Sequence, residues 1–241
     1  MGKCLVCYIL CLTLKFNLIA QTAEPSATVD KNILQIELES LYTVQNEGSE
    51  KMKSWSIPNA LFRFGIFNSV ELHLNIPIVK EELWKNDHLV QSLNKFEDFQ
   101  VGFSANLWKE KKLLPQASIM IRLILPTDKN YKLGKIVSLN LSNKISGNLT
   151  FNSNIGHIQE TDNALSCFYI VNLTYQTSSK FHFFLENFGD LHNESLMSHN
   201  LNLGGGYNIT EKLILDISAS KGLNTNMFYA GGILTWIIKT K

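Results

Sequence analysis

From residue 33 onward, apolar and polar positions alternate along the chain. Residues 70 to 80, VELHLNIPIVK, put Val70, Leu72, Leu74, Ile76 and Ile78 on one side of an extended backbone and Glu71, His73, Asn75 and Pro77 on the other. Residues 33 to 45 do the same with Leu34, Ile36, Leu38, Tyr42 and Val44 against Gln35, Glu37, Glu39 and Thr43. A period of two is the strand period, because successive side chains leave a pleated backbone on opposite faces. Twelve such segments follow, at about 33 to 45, 55 to 66, 70 to 79, 97 to 108, 116 to 126, 136 to 143, 148 to 158, 164 to 176, 181 to 190, 198 to 208, 213 to 221 and 227 to 238. Part of 81 to 96 alone leaves room for a helical period.

The connections alternate too. Short turns fall after the even-numbered segments: FNS at 67 to 69, KEKKLLP at 109 to 115, NKIS at 143 to 146, TSSK at 177 to 180 and NITEK at 208 to 212. Longer polar loops follow the odd-numbered ones, at 47 to 54, 80 to 96, 127 to 135 and 191 to 197. Short turns at one end and long loops at the other are the layout of an all-β, closed, antiparallel up-and-down transmembrane β-barrel. With about 12 strands, both ends of the barrel domain return to the same side.

The alternate faces decide which side is the interior. They carry Asn, Gln, Ser, Gly and single charges, too few charges for an ordinary solvated surface and too much polarity for a packed core. A polar lumen suits them, so Val70, Leu72, Leu74 and Ile76 are expected to face lipid. In hydrocarbon such a sheet has to close, because an open edge leaves backbone groups without hydrogen bonds. The topology then places Phe64, Tyr175, Tyr207 and Trp236 in a lower aromatic girdle, with Tyr42, Phe99 and Phe228 toward the upper interface. Pro58, Pro77, Pro115 and Pro126, unable to donate to a ladder, are expected near the rims.

Composition narrows the classes. Of 241 residues 45% are hydrophobic, yet no stretch after residue 20 approaches the roughly 20 consecutive apolar residues of a spanning helix. A formal charge of +1 offers nothing to a nucleic acid or an acidic surface. Residues 1 to 20, with Lys3 ahead of the apolar run CLVCYILCLTL, read as a secretory signal cleaved between positions 20 and 27, leaving 28 to 241 as one barrel domain. Three of the four cysteines lie in that signal, so the mature chain keeps Cys167 and no internal disulfide.

The runs IPNALFRFGIFNSVELHLNI (57 to 76), ANLWKEKKLLPQASIMIRLILPT (105 to 127), ENFGD (186 to 190) and TEKLILDISASKGLN (210 to 224) resemble a family of bacterial outer-membrane barrels named after the meta-cleavage pathway of phenol degradation. The resemblance covers nearly the whole mature chain in order. It implies a transporter in a Gram-negative outer membrane, contacting membrane lipid and assembled by the outer-membrane insertion machinery. The chain departs from the pattern at its end, where Lys239, Thr240 and Lys241 follow the aromatic and aliphatic closing strand.

Inward parity selects the lumen candidates: Glu37, Glu39, Arg63, Glu71, His73, Arg122, His182, Glu186 and Asp216. Glu37, Arg63 and Glu71 fall at similar height on three adjacent strands, so Arg63 is expected between the two carboxylates. Two readings stay open for them: an ion-pair network that fills the lumen and sets register, or a constriction that sets permeability. Arg122 is expected nearer the outer mouth, with Glu186 and Asp216 at mid-height.

The enzyme alternative is a phospholipase-type barrel with Ser and His on its lipid-facing wall. Such chemistry needs a base within hydrogen-bond reach of its nucleophile, but Ser153 and His157 are four residues apart, about 13 Å along a strand. No catalytic residue, cofactor or metal is therefore expected; the histidines lack chelating spacing. Five Asn-x-Ser/Thr sequons, starting at Asn140, Asn148, Asn172, Asn193 and Asn208, are read as products of an Asn-rich composition. The loop at 80 to 96 is expected to plug the lumen, bind an outside partner or cover the mouth. The expected function is a porin-like passive channel for small molecules without nucleic-acid partners, and the alternative is a closed structural or adhesive barrel acting through its loops.

Overall fold

The computed structural model describes residues 23–112, 114–192 and 197–240. Its strands are β1 Ile33–Glu47, β2 Glu50–Phe67, β3 Val70–Lys85, β4 His88–Phe96, β5 Phe99–Trp108, β6 Gln116–Leu125 and β7 Gly134–Lys144, then β8 Leu149–Gln159, β9 Leu165–Gln176, β10 Phe181–His192, β11 Asn200–Thr210, β12 Leu213–Gly222 and β13 Met227–Lys239. Successive strands pair antiparallel, except that β4 and β5 both pair with β3, and β1 pairs with both β2 and β13, so the sheet closes. No helix among the described residues is long and apolar enough to cross a membrane.

β4 does not add a wall position. It pairs with the upper half of β3, from Ile78 opposite Phe96 to Lys85 opposite His88, while β5 pairs with the lower half, from Val70 opposite Ala105 to Asn75 opposite Gln100. β4 and β5 together act as one descending strand, interrupted at Glu97 and Asp98, and the wall has twelve positions. The chain expected to be a long loop at 80 to 96 is thus the top of a hairpin. The residues at 47 to 54 are likewise strand, apart from the turn at Gly48 and Ser49. Polarity on both faces of KEELWKNDHLVQSLNKF hid the strand period. The signal that marks the hairpin is Asn86-Asp87, both with positive φ (49° and 61°), as a two-residue I′ turn requires.

The β3–β4 hairpin, with the β1–β2 hairpin beside it, therefore rises above β5 as an extension, while β1 stays paired with β13 as far as Gln45 opposite Met227. The base of the extension is a β-bulge at Ile57 and Pro58, opposite Ile78 on β3 and next to the Asn59–Pro77 pair, where the β5 ladder ends and the β4 ladder begins. These two prolines sit within long strands rather than at a rim; a bulge accommodates the missing donor. On the outer face the Tyr42 and Trp55 rings lie 5.1 Å apart, tilted by 37°, Lys80 lies 4.9 Å from the Trp55 ring centre, and Lys53 lies 4.2 Å from that of Trp84.

The parity expected from sequence holds around the wall. Leu72, Leu74, Phe103, Leu173, Phe183, Leu203, Ile217 and Trp236 are exposed, whereas Glu71, His73, Ser118, Asn154, Asn172 and Asn202 are buried. Outward apolar positions on β3 run from Val70 to Ile78, roughly 26 Å along the strand, enough for an apolar band of about 25 Å once tilt is included. Outward charges such as Lys80, Lys135 and Lys221 begin only at the upper ends. At the lower end, the Phe181 and Tyr207 rings lie 4.7 Å apart within the aromatic girdle.

Inside the barrel the upper lumen is apolar: Leu41, Ile124, Ile158, Phe168, Ile170, Phe188 and Tyr229 form one buried cluster. Glycines on neighbouring strands make room for its rings, and a Cβ on Gly156 would collide with the Phe168 ring and the Val137 carbonyl. Replacing Gly156 with Val is expected to cost about 1 to 3 kcal/mol and to lower the temperature at which the folded band converts on unboiled gels. An unchanged conversion temperature would show that the Phe168 ring is free to move aside.

Candidate functional site

The chain does not enter the wall directly. Before β1, residues 23 to 30 run through the lumen as an extended strap, and polar side chains of the wall hold the strap's backbone. The amide of Ala23 donates to Glu186 Oε2 (3.0 Å), that of Glu24 to Asn154 Oδ1 (2.9 Å), that of Thr28 to Asn106 Oδ1 (3.2 Å) and that of Val29 to Glu71 Oε2 (2.6 Å). In return the Glu24 carbonyl accepts from Asn154 Nδ2 (2.9 Å) and the Ser26 carbonyl from Gln116 Nε2 (3.0 Å). An extended backbone without a neighbouring strand has orphan donors and acceptors, and these inward side chains satisfy them. Ser26 and Val29 are buried as a result.

The strap completes the charge network that the sequence outlined in part. Arg63 Nη2 sits 2.5 Å from Glu71 Oε1, and its Nη1 sits 3.4 Å from Glu37 Oε1, so it lies between the two expected carboxylates. Arg122 Nε donates to His73 Nδ1 (3.0 Å), which leaves the other ring nitrogen to carry the proton and donate to Glu71 Oε1 (2.8 Å). His73 is thereby held as a neutral imidazole bridging the two halves of the network. Arg122 does not stand apart near the mouth: it belongs to this cluster, because the ladder sets it level with His73 on either side of Gly102 and the strap reaches it through the lumen. Its Nη2 lies 2.8 Å from Glu24 Oε1, a charge contact without hydrogen-bond alignment. Arg63 and Arg122 are the only arginines in the chain.

The remaining candidates form separate groups. Glu186 is fully buried and accepts from Asn172 Nδ2 (3.2 Å), Asn202 Nδ2 (3.3 Å) and the strap at Ala23. His182 on β10 and Asp216 on β12 meet at 2.8 Å above Gly206 on β11, where a Cβ would strike both. Glu39 lies near Asn59 Nδ2 (3.5 Å) and Ser56 Oγ (3.4 Å) at the bulge. Glu24 was missed because it precedes the first strand and has no parity to read. Asn106, Asn154, Asn172 and Asn202 were missed because uncharged inward residues drew no attention, although their parity was visible. On the outer wall, His157 adjoins Cys167 rather than Ser153, with Nδ1 and Sγ 3.7 Å apart.

Burial around the strap is nearly complete. Glu71, Glu186, Asn202, Ser118 and Met120 are less than 2 to 3% exposed, and the strap lies among them. Breaking the ion pairs is expected to be costly, since removing one partner strands the other in a dehydrated site. Replacing Arg63 with Met should lower stability by about 3 to 5 kcal/mol, read as a lower urea midpoint. A midpoint equal to that of the unaltered chain would mean that water already reaches Glu71. Gly65 tests the strap separately, because a Cβ there would meet the Asp30 and Val29 carbonyls. Gly65→Val should leave the barrel folded and make the strap a protease target; full resistance would show that the strap adjusts in place.

Comparison with known proteins follows the same line. The family model "Putative MetA-pathway of phenol degradation" matches residues 20–228. No curated protein matches the chain in sequence. Among solved structures, an outer membrane channel from Pseudomonas putida F1 superposes with a TM-score of 0.71 at 8% identity, covering 90% of this chain and 100% of that one. The translocator domain of the autotransporter NalP from Neisseria meningitidis gives 0.55 at 9% identity, covering 87% and 88%. The NanC porin gives 0.53 at 10% identity, covering 86% and 100%. At such identities the likeness is one of fold, a closed outer-membrane barrel, and the three neighbours differ in what they are named for.

Proposed function

The chain belongs to the family described as MetA-pathway of phenol degradation, and we propose that it is a passive channel for small molecules in the outer membrane of a Gram-negative bacterium, closed by its own N-terminal strap. In this reading residues 1 to 20 are a signal peptide, which lies outside the described residues, and the insertion machinery assembles the barrel in the bilayer. The chemistry is selection by the wall, without catalysis or cofactor.

The observation that carries the reading is the strap itself. Twelve wall positions enclose a lumen that side chains alone do not need to span. The element across it is attached by single side-chain hydrogen bonds and one charge contact, not by a strand ladder. Each of these bonds contributes about 1 kcal/mol net once exchange with water is counted. A segment held in this way can leave while the wall, with its continuous backbone pairing, stays intact. The solute would then pass an apolar ring at the top and a mixed-charge belt below it, which favours small molecules with an apolar body over hydrated ions.

The competing reading is a closed barrel that acts through the β1–β4 extension, and the filled lumen favours it. Single-channel recording separates the two. The mature chain should show rare or no openings, and a chain beginning at Lys31, which lacks the strap, should show discrete and frequent steps. Silence from a strapless barrel that still shifts on unboiled gels would overturn the channel reading and leave the extension as the working part.

A further inference from the structure

The strap touches the wall with two adjacent residues of opposite character. Ala23 packs against the apolar cluster of Leu41, Ile124, Ile158, Phe168, Phe188 and Tyr229, and Glu24 reaches Arg122 with its carboxylate 2.8 Å from Nη2. Together they are an apolar group next to a single carboxylate. The two arginines differ in how firmly they are matched. Arg63 keeps two carboxylates of the wall, Glu37 and Glu71, whatever the strap does. Among the described residues, Arg122 has neutral His73 on Nε and the strap's Glu24 for its charge. Its Nη2 is buried and lacks an aligned acceptor. When the strap leaves, Arg122 becomes a lumen-facing cation with no contacting carboxylate among the described residues, two residues below Ile124 and paired across the ladder with Ile136. A charge of this kind draws a carboxylate into its site, since a paired charge costs far less than a lone one.

We propose that Glu24 is a built-in stand-in for the transported solute, and that Arg122 and the apolar cluster above it form a binding site for small apolar monocarboxylates, aromatic ones included. The inference rests on the channel reading and adds its substrate class and its means of opening. A solute carboxylate takes the place of Glu24 on Arg122, with the planar fork of the guanidinium offering aligned donors where the strap makes only a charge contact. Its apolar body takes the place of Ala23 against the rings. The strap and the solute therefore compete, and occupancy by one excludes the other.

Equilibrium dialysis of the folded mature chain in detergent tests this with benzoate and, as an uncharged probe of similar shape, benzyl alcohol. Glu24→Ala should bind benzoate at least tenfold more tightly than the unaltered chain, because its competitor is gone, while benzyl alcohol stays weak in both. Adding Arg122→Gln should abolish the gain, and Arg122→Lys, which keeps the charge and guards against a folding defect, should retain much of it; each variant is first shown to shift on unboiled gels. Equal benzoate binding with and without Glu24, or equal binding of the two probes, would overturn the proposal. Conductance of a chain beginning at Lys31, which lacks the whole strap, recorded in parallel, separates the two readings. Binding without current leaves the carboxylate site standing and removes the channel, whereas current without selective benzoate binding does the reverse.

Discussion

The rest of this structure follows from the need to give every backbone N–H and C=O a partner where no water is available. A sheet meets that need in hydrocarbon only by closing, so β1 must find β13 and each strand must keep its register around the ring. Closure sends one side chain in two to the lipid and the next into a narrow interior. The outer set is then necessarily apolar, and the inner set collects whatever polar groups the chain needs to keep. Twelve strands enclose a space between the side-chain-filled small barrels and the wide water-filled porins. In this protein the same requirement reappears inside, where the strap brings an unpaired backbone into the lumen and the wall answers with Asn106, Gln116, Asn154, Glu71 and Glu186.

The interior is consequently a single connected object. Glu71 accepts from Arg63, from His73 and from the Val29 amide at once, which ties the charge network to the strap. His73 passes the connection to Arg122, and Arg122 to Glu24. Such an arrangement sets register and fills volume, and it also fixes which arginine remains charged and uncovered when the strap moves. The structural and functional readings of these residues are therefore compatible: the wall carboxylates hold Arg63 for the barrel, and Arg122 is left for the lumen.

The same physics explains where reading from sequence stopped. Alternation was plain on β3 because lipid demands an unbroken apolar face from Val70 to Ile78. It faded at Lys80, where the hairpin rises out of the apolar band and water meets both faces of Glu81, Glu82, Lys85 and His88. Strand continuation there is enforced by backbone pairing with β2 and β4, which no single segment reveals. Pro58 and Pro77 seemed to mark a rim and instead mark the place where the β5 ladder ends and the extension starts.

The sequence by itself determined the strand period, the wall positions and the face of nearly every residue, because a bilayer outside and a polar lumen inside impose a rule of period two on each strand separately. It also placed Arg63 between Glu37 and Glu71, since neighbouring strands of known direction fix relative height. Only the tertiary structure decided what fills the lumen. The meeting of Glu24 with Arg122 and of the Ala23 amide with Glu186 depends on distances through the barrel's interior. Those distances are set by closure, stagger and the path of a segment that belongs to no strand, and local periodicity carries no record of them.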